Sequence, residues 1–167
     1  MVDKKSFVSK TSSDELRTAI TKEFKEKIEF GEFKSGELLA IVGSEKIISF
    51  AQTLKESKSL NFDYLKCLFG VEKKDHFEVV YDVYSIPNGV GLLVKVLLDK
   101  KKPKVATLTT VYPAADWYER ETAEMFGITF EGHPNPKNIL LADDFEGYPL
   151  RKSYLLPDER RKTVKKA

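Results

Sequence analysis

The sequence predicts an α+β fold: about four mostly antiparallel strands with helices on one face, followed by an extended C-terminal arm. Three observations carry this reading. The first third alternates helical spacing with a short apolar strand, the stretch from Phe77 switches to a period of two, and prolines become frequent after Pro134. Residues 1–132 therefore read as a core domain and 133–167 as an extended arm.

Ser12-Ser13-Asp14-Glu15 forms a capping box, with a hydroxyl cap and a carboxylate three residues on. The helix it opens is expected to run to about Phe30, with Leu16, Ala19, Ile20, Phe24 and Ile28 on one side and Gly31 closing it. Glu37 to Val42 reads as a strand, and Gly43-Ser44 turns it into a second helix carrying Ile47, Ile48, Ala51 and Leu54. A third, short helix is expected over Phe62 to Phe69, stopped by Gly70. Phe77, Val79, Tyr81 and Val83 then alternate with Glu78 and Asp82, the pattern of a half-buried strand. Pro87-Asn88-Gly89 turns the chain, and Val90 to Leu98 returns as an antiparallel partner. After the lysine-rich turn at Asp99 to Pro103, Val105 to Val111 reads as a third strand of the same meander. A helix from Pro113 to Phe126 follows, with proline at its first position and Gly127 just past its end. Pro136, Pro149 and Pro157 keep the rest extended, yet it carries Ile139, Leu140, Leu141, Phe145, Tyr148, Leu150, Tyr154, Leu155 and Leu156, which need a surface to lie on.

Composition narrows the function. With 28 basic against 26 acidic side chains, net charge makes no case for a general nucleic-acid binder. One cysteine, Cys67, and two histidines, His76 and His133, exclude a disulfide framework and are too few to hold an iron–sulfur cluster. Cys67 reads as a small buried apolar group, and His133, alone before a proline, as a packing or capping residue. Asp143, Asp144 and Glu146 flank Phe145 in the arm and read as facing solvent or a partner's basic groups rather than a metal. No apolar run approaches the length of a membrane span, and no apolar leader follows Met1, so a cytoplasmic location is expected. Glutamine is scarce while Lys and Glu are abundant, a bias resembling heat-adapted proteins.

On the Pro113–Phe126 helix, Arg120 has Asp116 four residues before it and Glu124 four after, with Glu119 and Glu121 beside it. Spacing alone makes this a salt-bridged face whose guanidinium pairs with two carboxylates, while Trp117, Tyr118 and Met125 supply the side needed for the core.

Glu119-Arg120-Glu121-Thr122-Ala123-Glu124-Met125-Phe126-Gly127-Ile128 resembles the Glu-Arg-Glu signature of the C-subunit family of NADH dehydrogenase (complex I), a small hydrophilic chain. His133-Pro134-Asn135, Ile139-Leu140-Leu141 and Asp144-Phe145-Glu146-Gly147-Tyr148-Pro149-Leu150-Arg151-Lys152 are similar to its second signature, in order and at matching distance. The family includes counterparts in membrane-bound nickel-iron hydrogenases and related ferredoxin-dependent complexes. Ala123 and Glu124 replace the aromatic residue and aspartate usual in respiratory members, and the short end after Pro157 resembles the hydrogenase-type branch. The electron donor and acceptor stay open.

The resemblance implies a non-catalytic structural subunit of the peripheral arm of an ion-pumping complex on the cytoplasmic side of the membrane. Such a subunit holds no cofactor and clamps a large hydrogenase-like subunit beside a small iron–sulfur subunit. Iron–sulfur clusters, and a nickel-iron site in the hydrogenase-type branch, belong to those partners. The interface residues it implies are Glu119, Arg120, Glu121, Glu124, His133, Asp144, Phe145, Glu146, Tyr148, Leu150, Arg151, Lys152 and Tyr154. Arg151 is expected to pair across that interface, since a guanidinium binds a carboxylate bidentately and Lys152 cannot. The alternative from composition is a small basic module using Arg151-Lys152 and Arg160 to Lys166 to dock on RNA or an anionic surface.

Overall fold

A computed structural model describes residues 12–24, 28–32 and 37–155. Ser12 caps the first helix, α1 (Ser13–Glu23), as its sequence requires: Glu15 N–H donates to Ser12 Oγ at 3.2 Å and Ser12 N–H to Glu15 Oε2 at 3.0 Å. Only Leu16 and Ile20 of this helix are fully buried. It stops short of the expected Phe30, because Phe24 is already extended and Glu29–Glu32 forms strand β1, antiparallel to β2 (Leu38–Val42). Ile28 and Gly31 fit a helical period, but pairing along β2 outweighs that local preference.

Helix α2 (Ile47–Glu56) follows β2 and buries Ile47, Phe50, Ala51 and Leu54. The hairpin β4 (His76–Ser85) and β5 (Val90–Asp99) pairs in register from His76 opposite Asp99 to Ser85 opposite Val90, and Gly89 supplies the positive φ of its turn. The period of two is kept throughout. Phe77, Val79, Tyr81 and Val83 face the core with Leu92, Val94, Val96 and Leu98, while Glu78 and Asp82 face the other side in ion pairs with Lys95 and Lys66.

Residues 62–69 are not helical. They lead into strand β3 (Tyr64–Glu72), antiparallel to β4. A register shift between Leu65 and Cys67 sets the inward residues Leu65 and Leu68 three apart, which mimics helical spacing. The sheet runs β1-β2-β5-β4-β3, with β2 and β5 parallel and the other pairs antiparallel. Five strands thus stand where about four are expected. The difference is β1 and β3, because the expected third meander strand also leaves this sheet. Of Val105–Val111 only the start is extended: β6 (Lys104–Ala106) pairs in parallel with β7 (Thr129–Glu131) as a separate two-stranded sheet. Past Ala106 the amides turn elsewhere, Thr107 N–H to Glu131 O and Leu108 N–H to the Glu119 carboxylate.

Helix α3 (Ala115–Phe126) lies on the core face over β3. Gly70 permits the approach: a Cβ there would sit 2.8 Å from Phe126 Cδ2 and 3.0 Å from Thr122 Cγ2. Gly70→Ala is therefore expected to lower unfolding free energy by roughly 1–3 kcal/mol, read by chemical denaturation. Wild-type stability in that variant would show that α3 is not seated this closely on β3.

Candidate functional site: the seam between α3 and residues 133–155

The third helix ends on Gly127 in the left-handed region, as its sequence leads one to expect. Its faces are rotated from the expected arrangement. Trp117, expected in the core, is 60% exposed, whereas Glu119, expected on the polar face, is 0% exposed. Burial of that carboxylate is possible because it is matched: Thr107 Oγ1 donates to Oε2 at 2.5 Å and Leu108 N–H to Oε1 at 2.7 Å. Burial pushes the Glu119 carboxyl up to about 7 against the pull of these two donors, and the Asp116 charge adds to the rise. Burial and the Glu119 charge together hold the phenol of Tyr81 well above its ordinary range.

His133 enters the same cluster with 2% of its side chain exposed, its Nε2 at 3.2 Å from Asp116 O and its Nδ1 accepting the Asn135 N–H at 3.1 Å. It packs and caps, as read from sequence.

Arg120 does not join two carboxylates. One guanidinium nitrogen lies 4.0 Å from Asp116, while Nε–H donates to Lys137 O at 2.8 Å and Nη2–H to Asn138 O at 3.4 Å. Glu124 also turns to residues beyond His133. Its buried carboxylate accepts three successive amides, Ile139 at 2.9 Å, Leu140 at 3.0 Å and Leu141 at 3.2 Å. Three amides converging on one charge hold a backbone far better than a side chain could, since no rotamer is lost on their side.

Farther on, Leu150 N–H reaches Met125 O, and Arg151 closes the end of α3, donating from Nε to Phe126 O at 2.6 Å and from Nη2 to Gly127 O at 3.4 Å. The guanidinium lies over the rings of Tyr148 and Phe77. A cation is favoured there by the carbonyl end of the helix, so Arg151, expected to pair across an interface, commits these donors within its own chain. Gly127 leaves the room, as a Cβ would come within 2.6 Å of Arg151 Nη2. Last, Lys152 N–H donates to Glu72 Oε2 at 2.6 Å, and this bond, ahead of the Lys100 ammonium, holds the Glu72 carboxyl below its ordinary value.

Residues 133–155 hold neither α-helix nor β-strand, as the prolines suggest, and they are stitched to α3 and β3. Leu156 to Ala167, with the basic run Arg160 to Lys166, lie outside the described residues. Outward from the seam point Glu121, Leu140, Asp144, Phe145, Glu146, Tyr148, Leu150 and Lys152, while Tyr154 is half-buried against Phe145. Leu140 is 63% and Leu150 56% exposed. A cleft of about 460 Å³ lies beneath, between Arg120, Ala123, Phe130, His133, Pro136 and Tyr148. Among the described residues no group of His, Cys, Asp and Glu is placed to hold a metal ion, and no helix is long and apolar enough to cross a membrane.

The same fold is found in two solved chains. A chain of the membrane-bound sulfane sulfur reductase, an archaeal respiratory membrane complex, superposes with a TM-score of 0.76 at 28% identity, covering 91% of both chains. A trypsin-resistant fragment of Nqo5 superposes with a TM-score of 0.61 at 25% identity, over 72% of this chain and 98% of the fragment. The protein belongs to the respiratory-chain NADH dehydrogenase 30 Kd subunit family, which residues 40–160 match. The C subunit of NADH-quinone oxidoreductase from Roseiflexus sp. (strain RS-1) is 39% identical over 113 residues, 66% of this chain and 65% of that protein. The C subunit of F(420)H(2) dehydrogenase from Methanosarcina mazei is 38% identical over 107 residues, 63% of this chain and 66% of its own length. The chain thus spans just under two thirds of such relatives.

The seam yields two expectations. Glu124→Gln keeps the size but replaces an acceptor oxygen by a carboxamide NH2, a donor facing donors, so Ile139 to Leu141 should lose hydrogen-exchange protection, with a cost of roughly 1–3 kcal/mol. Unchanged protection would show that the carboxylate does not hold the segment. For Glu119 the sign follows from its raised value: the folded state binds the proton more tightly, so its contribution is full below the ordinary 4.5, falls as pH rises toward about 7, and is flat above. Wild type should therefore lose on the order of 3 kcal/mol relative to Glu119→Gln between those limits, measured by denaturation at several pH values; parallel curves would refute it.

Proposed function

We propose that this chain is a non-catalytic structural subunit of a membrane-bound electron-transfer, ion-pumping complex. It sits in the peripheral arm on the cytoplasmic side and clamps a large hydrogenase-like subunit beside a small iron–sulfur subunit. In this reading residues 1–132 are the scaffold and 133–167 the docking arm, and the iron–sulfur clusters, with a nickel-iron site where the complex is of hydrogenase type, belong to the partners.

The observation that carries it is the stitched seam itself. Leu140, Phe145, Tyr148 and Leu150 stand exposed on a backbone fixed by Glu124, Arg151 and Glu72. Exposed apolar groups in a row mark a surface made to be covered. Fixing them in advance lowers the entropy lost on docking. Family membership and the likeness to a chain of an archaeal respiratory membrane complex support the same reading.

Leu150→Asp tests it, since the side chain is exposed and the isolated variant should keep wild-type stability. Introduced on a tagged chain in the native host, it should remove the partner chains from the purified complex. Intact assembly would overturn the proposal, as would salt-sensitive binding of the wild-type chain to RNA or anionic vesicles in place of protein partners.

A further inference from the structure

The one tryptophan of the chain lies on α3 rather than on the segment after His133. Trp117 lies near the start of α3, away from the core, but it is not a loose side chain. The Arg120 guanidinium sits 4.9 Å from its ring centroid, and the Arg120 side chain is 11% exposed, its guanidinium held by Lys137 O, Asn138 O and the Asp116 carboxylate. The indole is thus backed on one side by an immobilised cation while most of its surface meets solvent. One helical turn on, Glu121 is exposed on the same face, with no hydrogen bond or ion pair among the described residues. Leu140 is fixed alongside by the same Glu124 carboxylate, about two helical turns from Trp117 on the α3 surface.

A large rigid aromatic, ordered before binding and bordered by one unpaired carboxylate, has the make-up of an interface anchor. Arg120, the cation next to Glu121 in the chain, is already committed to two carbonyls and Asp116, so the charge Glu121 lacks is positive. We propose that Trp117 inserts into an apolar pocket on a partner protein whose rim carries a basic side chain that pairs with Glu121. This rests on the docking reading above and adds to it a contact on α3 separate from the apolar ridge of the arm.

Fluorotryptophan incorporated into this chain alone makes Trp117 its single fluorine reporter. The labelled full chain is measured by fluorine NMR alone, then recombined with unlabelled partner chains co-expressed without it. The solvent isotope shift should be large in the free chain and vanish in the complex. Trp117→Ala should weaken recombination about tenfold or more, Trp117→Phe less, and Glu121→Lys more than Glu121→Gln, with the gap closing at high salt. A Trp117 signal that stays solvent-exposed in the complex overturns the inference. So does a signal that shifts on concentrating the chain alone, which would mean a second copy, or on adding anionic vesicles, which would mean a lipid surface. If Leu150→Asp blocks assembly while Trp117→Ala does not, this contact alone falls; if neither does, the docking reading falls with it.

Discussion

The Glu124 carboxylate is the point on which the C-terminal third turns. A segment without helix or strand must satisfy its amides somewhere, and three of them in succession, from Ile139 to Leu141, find one buried charge on α3. That charge is kept in place by a helix which is itself fixed by a second buried carboxylate, Glu119, bonded to Thr107 and Leu108. The two acids act in opposite directions from one helix, inward to the core and outward to the following chain. Neither could be an exposed ion pair and do the same, because solvated pairs contribute little and orient nothing.

The run Glu119-Arg120-Glu121-Thr122-Ala123-Glu124 is thus an addressing device. Glu119 points to the core, Arg120 to two carbonyls and Glu124 to three amides of the following segment, and Glu121 to solvent. The second run answers it: Arg151 supplies the donors that the carbonyl end of α3 lacks, and Lys152 N–H finds Glu72 on β3. The two runs are the two halves of one internal fastening.

Much of the fold is legible in the sequence where one force acts alone. The β4–β5 hairpin shows because each strand has one buried face, and α1 begins where Ser12 and Glu15 can cap each other. Where a tertiary term overrides local pattern, the sequence is opaque. The irregularity at Leu65 and Cys67 makes a strand look helical, and Leu108 leaves the expected strand because its amide is claimed by a glutamate eleven residues away. The orientation of α3 is hidden for the same reason. Hydrophobicity alone puts Trp117 inside and Glu119 outside, and only the specific donors at Thr107 and Leu108 reverse them. The residues of the site are legible, but not the backbone they hold: no spacing shows that Arg120 reaches Lys137 O, Glu124 the Ile139 amide or Arg151 Phe126 O.

The last carbonyls of α3 depend on a side chain made about twenty-five residues after them. During synthesis the helix therefore emerges with its end unfinished, and it stays so until Arg151 has followed it out. Order of translation thus delays the closing of this helix end, and a product ending before Arg151 would carry α3 with its last carbonyls unmet.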